Sequence, residues 1–133
     1  MKEDPVLRSR IMRAVKGRDT APEMLVRRLA HSLGYRYRLH RADLPGKPDL
    51  VFPARRKIIF VHGCFWHGHD CQRGSRAPKE NAAYWRKKIS TNKQRDHANI
   101  EKLTALAWRC LVIWECELKQ PVLVGRALSR FLR

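Results

Sequence analysis

The segment VHGCFWHGHDC, Val61 to Cys71, concentrates side chains that can do chemistry. From His62 to Cys71 it holds three of the chain's six histidines and two of its four cysteines, with Phe65 and Trp66 between them. Thiolates and imidazoles are the ligands of tetrahedral zinc. Cys64, His67, His69 and Cys71 lie close enough in the chain to share one ion, with His62 just outside. Cys116 follows Cys71 with 44 residues between them, and it returns to the same end of a sheet if its strand neighbours Lys57 to His62. Cys110 shares the nominal strand face of Cys116 but lies about 20 Å away along an extended strand, so both cannot serve one ion. Cys64, His69, Cys71 and Cys116 are therefore favoured as a closed structural site, which leaves His62 and His67 free. A set closed by His67 without Cys116 is the alternative. A polar loop with buried free thiols is the plainer reading, since cysteine also behaves as a small core residue. Core packing is the expectation for Cys110.

A carboxylate precedes the cluster. Pro48-Asp49 leads into Leu50-Val51-Phe52, which must be strand, and a turn then leads to Ile58 to His62. This order places a carboxylate on one strand and a histidine on the next. Hydrated magnesium (Mg2+) needs one or two carboxylates plus water and phosphate oxygens. Such an ion polarises a phosphate and acidifies bound water, and a nearby histidine can move the proton. As a turn residue after Pro-Gly-Lys-Pro, Asp49 would have no such role.

The elements that must hold these groups are legible. Thr20-Ala21-Pro22-Glu23 predicts a helix start, with Thr20 as cap, Glu23 completing a capping box and Pro22 in the first turn. Leu25, Leu29 and Leu33 repeat at helical spacing, and Gly34 can end the helix. Tyr35 to His40, the end of Pro45 to Phe52, and Lys57 to His62 read as strands, the last two joined by a turn at Pro53 to Arg56. Residues 63 to 80 read as loop and Asn81 to Ala107 as a polar helix with Ile89, Ile100, Leu103 and Ala107 inward. Trp108 to Glu115 reads as a strongly apolar strand, with Trp108 and Trp114 in the core. Pro121 opens a last amphipathic helix carrying Val124, Leu128 and Leu132. Helix, three strands, helix, strand, helix is an α/β order: a mixed central sheet flanked by helices. The 133 residues fit one domain. Residues 20–133 are expected to form it. Residues 1–19 are expected to be a basic arm or short helix on DNA, or on composition alone a mobile tail.

Charge selects the partner. Lys and Arg total 29 against 12 Asp and Glu, a net charge of +17, with a pI near 10.8. Phosphate neutralisation makes nucleic acid the leading partner, ahead of an acidic membrane surface. No continuous apolar span of about 18 residues occurs, so a transmembrane helix is not expected. The polar start MKEDPVLRSR predicts no secretory signal, and four cysteines in such a chain point to a reducing compartment. A cytoplasmic protein, associated with the nucleoid when on DNA, is the expectation.

GKPDLVF, IIFVHGCFWHGHDC and WRCLVIWEC, with the opening RSRIMRAVKGRDTAPE, closely resemble the very-short-patch-repair DNA mismatch endonucleases of bacteria. The resemblance covers roughly residues 8 to 119. It implies the restriction-endonuclease-like fold and a magnesium-dependent nick 5′ of the T in a T:G mismatch, the lesion left by deamination of 5-methylcytosine. It further implies that Asp49 and the backbone carbonyl of Val61 contact magnesium, that His67 transfers a proton, that His62 lies close to the scissile phosphate and that Glu23 is an active-site acid. Cys64, His69, Cys71 and Cys116 match structural zinc (Zn2+) ligands. Phe65, Trp66 and Trp85 match aromatics that wedge into the duplex, and Met12 matches a residue inserted from the opposite groove. A wobble pair stacks poorly, so opening the step costs less there. Core packing is the alternative for the three aromatics, least so for the two in the loop. Many nucleases of this fold carry (D/E)-x-K on the strand after the Pro-Asp. Here that strand ends Phe60-Val61-His62, a departure that the mismatch family shares. The expected partners are duplex DNA with a T:G mismatch and mismatch-repair proteins. No membrane is expected, and a monomer suffices for a single-strand nick. A zinc-stabilised DNA-binding module without chemistry, and a nuclease cutting matched DNA, are the competing readings.

Overall fold

The computed structural model describes residues 20–39, 41–71 and 80–133. The arm expected over residues 1–19, with Met12, lies outside the described residues. Helix α1 spans Ala21–Ser32. Thr20 caps it, its Oγ1 accepting from the Glu23 N–H at 3.4 Å. Leu33 closes the helix, and Gly34 turns the chain with φ +91°, a conformation in which a Cβ is unfavourable. Glu23, Val26, Arg27 and Ala30 are its buried stripe, at helical spacing.

The sheet has four strands: β1 (Arg38–Leu39), β2 (Leu50–Phe52), β3 (Lys57–His62) and β4 (Arg109–Trp114). Their order is β1-β2-β3-β4; the first two pairings are antiparallel, and β3 runs parallel to β4. A 3-10 turn over Pro53–Arg55, with Arg56 left-handed at φ +52°, joins β2 to β3 as the sequence suggests. The strand expected to end Pro45–Phe52 shortens to three residues. Gly46 and Lys47 both take positive φ, and Pro48 has no N–H to give a ladder. Helix α2 (Ala82–Ala105) makes the crossover that a parallel β3–β4 pair needs. Ala107, expected on its inner face, lies past its end with φ +68° and is exposed. A 3-10 turn over Glu115–Lys119 leads into helix α3 (Pro121–Leu132).

Strand alternation sorts the core. Leu50, Phe52, Ile59 and Ile113 face α1 and α3, meeting Val26, Ala30, Val124, Leu128 and Leu132. Val51, Ile58 and Phe60 face α2 and meet Leu103 and Trp108, with Cys110 and Val112 packed against them. Helices on both faces explain why β2 and β3 are nearly continuous apolar runs. The hairpin also holds the chain's end. Lys57 Nζ donates to the Phe131 and Arg133 carbonyls at 2.6 and 2.8 Å, and Arg55 donates to the Leu132 carbonyl at 2.9 Å. These cations satisfy carbonyls that a helix C-terminus leaves unpaired. Period-2 alternation then carries function, because Asp49, His62 and Trp114 continue the rows that face α2. No helix among the described residues is long and apolar enough to cross a membrane.

Candidate active site and zinc centre

Where β2 begins and β3 ends, Asp49 and Val61 meet. The Val61 N–H donates to Asp49 Oδ2 at 2.7 Å, fixing the carboxylate at the floor of a cleft of about 1020 Å³. Glu23 enters the same cleft from α1, its Oε2 paired with Arg27 Nη2 at 3.1 Å. Burial pushes the Asp49 carboxyl up to about 7. The Val61 N–H opposes that shift, the Glu23 charge adds to it, and His67 and Arg27 offset part of it. A half-buried carboxylate with a second one nearby is a set of hard oxygen donors that favours a small dication. The residues present therefore fit magnesium.

His62 closes β3 and is buried. Its ring stacks on that of His67 at 3.8 Å between centroids and 2° between planes. His67 Nδ1 lies 2.5 Å from Asp96 Oδ2, on α2. Among the described residues, His62 Nδ1 has no hydrogen-bond partner. Burial, then the neighbouring His67, pushes His62 down to about 4, with Asp96 opposing. His62 is thus neutral at neutral pH, while the Asp96 carboxylate stands at Nδ1 of His67. The donors of His62, His67 and Asp96 lie within 4.8 Å of one another. Parallel imidazoles aim their lone pairs side by side rather than at one point, so the trio suits proton handling better than metal binding.

The loop after β3 folds back on itself and on α2. The His67 and His69 N–H groups donate to the Gly63 and Cys64 carbonyls, and Asn92 Nδ2 donates to the Trp66 carbonyl at 2.9 Å. One donor atom from each of Cys64, His69, Cys71 and Cys116 falls within a 4.8 Å group. Cys116 Sγ is 3.5 Å from His69 Nδ1, and the Cys116 N–H donates to Cys64 Sγ at 3.4 Å. Tetrahedral zinc holds its ligand atoms roughly 3.5 to 3.8 Å apart, and the Cys116 Sγ–His69 Nδ1 spacing matches that. Burial, helped by the Cys116 and Cys71 thiols, pushes Cys64 up to about 12. A coordinated dication reverses that preference. The Cys/His cluster is consistent with a zinc site, and Cys116 belongs to it. His67, the alternative fourth ligand, points instead to Asp96 and His62.

Comparison with known proteins agrees with this arrangement. The model of the DNA mismatch endonuclease Vsr family matches residues 2–73. The DNA mismatch endonuclease Vsr of Escherichia coli K12 is 42% identical over 130 residues, covering 97% of this chain and 83% of that protein. The chain belongs to the Vsr family. It is a DNA nicking endonuclease of that family, a hydrolase acting on DNA. Two type II nicking enzymes are also similar. That of Xanthomonas oryzae pv. oryzae is 53% identical over 114 residues, covering 86% of this chain and 83% of its own. That of Neisseria meningitidis serogroup A is 39% identical over 126 residues, covering 95% and 89%.

In this Vsr-family chain, Phe65, Trp66 and Trp85 form one cluster with ring centroids 5.2 to 5.6 Å apart. All three are half-buried, and Phe65 and Trp66 line the cleft. Trp85 is brought to them by the first turn of α2. Two residues escape the sequence reading. Asp96 is one of only two acids on a basic helix, four residues from both Asn92 and Ile100. That i, i+4 spacing on the inward face was the available signal. Trp114, expected in the core, is half-buried at the seam between the two sites, stacked on His69 at 4.1 Å. Its position at the open end of β4 explains the difference. Trp108, by contrast, is buried as expected.

Proposed function

We propose that this chain nicks one strand of duplex DNA 5′ of the T in a T:G mismatch, with magnesium as catalytic cofactor. The observation that supports the reading is one cleft lined by both acid and imidazole side chains and large aromatics. Asp49, His67 and Asp96 line it, as do Phe65 and Trp66. Wedging rings open a poorly stacked wobble step at lower cost than a matched one.

Asp49 and the Val61 carbonyl would hold magnesium, which when bound supplies charge neutralisation and an acidified water. The chain's own residues do the rest. The water oxygen attacks phosphorus, and the bond from phosphorus to the leaving sugar oxygen breaks. His67, with Nδ1 on Asp96, accepts the attacking water's proton at Nε2. Asp96 fixes the tautomer of the neutral His67 ring and stabilises the imidazolium that forms. Neutral His62 fills the space beside the phosphate and keeps His67 in plane. Glu23 adds negative charge near the ion. The Cys64, His69, Cys71, Cys116 centre holds the loop rigid, and Met12 would complete the wedge from the far groove.

The similarity to two enzymes named type II nicking enzymes supports a second reading, nicking at a recognition site whether or not it is mismatched. Labelled duplexes with a single T:G pair in several contexts, matched controls, and EDTA in place of magnesium separate the two. A magnesium-dependent nick 5′ of T in mismatched duplex alone is expected. Cutting of matched duplex at equal rate would replace this reading with the second.

A further inference from the structure

We propose that Trp114 is a positioning residue for nicking, its indole locking the proton-handling His62–His67 pair to the zinc-centre ligand His69. This rests on the reading of His67 as the proton acceptor given above.

The register places Trp114 directly opposite His62 on the parallel β3–β4 pair. The indole meets the His62 ring at 5.2 Å and 73°, and the His67 ring at 6.3 Å and 72°. The two imidazoles are parallel within 2°, so these near-equal angles describe one flat wall across the edges of the stack. A further ring contact of the indole is a stack on His69 at 4.1 Å and 14°. His69 in turn lies against Cys116, two residues beyond Trp114 in the chain. The Trp114 backbone N–H donates to Glu117 Oε1 at 2.9 Å, which steadies the strand end.

Each restraint on His67 now has a source. Asp96 fixes the direction of Nδ1, His62 fixes the plane, and Trp114 fixes the sideways position relative to the zinc centre. Trp114 is half-buried, so filling a core is not its main task. An aliphatic side chain would occupy the space without defining an angle. An aromatic face does define one, because ring pairs prefer offset-stacked or edge-to-face geometry.

The test compares Trp114→Leu with Trp114→Phe. The readouts are the single-turnover nicking rate on T:G duplex with magnesium, duplex affinity in EDTA, and zinc per chain, with His67→Ala alongside. Trp114→Leu should nick about 10–100-fold more slowly, the usual effect of losing an outer-shell partner. Its affinity and zinc content should be unchanged, and Trp114→Phe should recover most of the rate. Equal rates for the two variants would overturn the proposal. So would loss of zinc or folded structure in Trp114→Leu, because Trp114 would then serve stability alone. Wild-type nicking by His67→Ala would instead remove the site reading beneath it, and the proposal with it. Loss of activity in His67→Ala beside an unimpaired Trp114→Leu would strike the Trp114 role alone.

Discussion

Asp49 and His62 are perturbed in opposite senses, and each has a consequence for pH. Asp49 titrates near 7 when folded, against about 3.8 unfolded. Between those values the folded chain keeps a proton that the unfolded chain has released. Its contribution therefore falls as pH rises from about 4 to about 7. His62 titrates near 4 when folded against 6.5, so its contribution rises with pH over that window. The wild-type profile mixes the two, and Asp49→Asn separates them. Magnesium selects the ionised carboxylate. Its stabilisation in thermal unfolding should thus be larger at pH 8 than at pH 5.5, and absent in Asp49→Asn. Equal magnesium shifts in both proteins would remove Asp49 from the ion. Asp96→Asn tests the other arm. Asn cannot hold the imidazolium charge, so nicking should fall by about 10–100-fold while duplex binding stays intact. An unchanged rate would make the His67–Asp96 pair merely structural.

The loop after β3 and helix α2 meet through a glycine. Gly68 has φ +62°, and a Cβ there would stand 2.6 Å from Ile89 Cγ2 and 2.8 Å from Lys93 Cδ. Gly68→Ala must lift the loop from the helix that carries Asp96. It should lose about 1–3 kcal/mol, read as a lower unfolding temperature, and lose more nicking than stability explains. Gly125→Ala, within α3 and with open space around it, should be neutral or gain up to about 1 kcal/mol. Equal behaviour of the two variants would show that the loop–helix contact does not position the site. Cys116→Ser tests the other anchor of that loop. It should lower zinc below one per chain and unfold at lower temperature, since structural zinc is coupled to folding. These elements explain what a sequence reading can reach. Thr20, Gly34 and the alternation in Lys57 to His62 are local signals, and they locate α1, β2 and β3. The Cys/His cluster is legible because three of its four members lie within eight residues, Cys64 to Cys71. Asp96 and Trp114 acquire their roles only when the crossover lays α2 over the ends of β3 and β4. A tryptophan in WRCLVIWE looks like any core residue until the strand is known to end there.

At the scale of the whole molecule, the proposed reading has the charge of +17 and the Phe65, Trp66 and Trp85 cluster make separable contributions to duplex binding. Phosphate contacts release counterions and carry no base information. An interface neutralising about six phosphates loses about 10³-fold in affinity between 50 and 200 mM salt. Matched and mismatched duplexes should show this slope equally. Arg95 lines the cleft from α2 beside Asp96, and Arg95→Ala should make the log–log slope shallower by about one. The mismatch preference proposed above has another origin. It is the difference in unstacking cost between a wobble step and a matched one, a short-range energy that salt screens little. The ratio of mismatched to matched affinity should therefore stay nearly constant as salt weakens both, and Phe65→Ala or Trp66→Ala should lower that ratio without changing the slope. Fluorescence titrations at four or five salt concentrations measure both quantities at once. A ratio that collapses with salt would place lesion recognition in the charged surface, and the aromatic cluster would then be packing that happens to sit at the cleft.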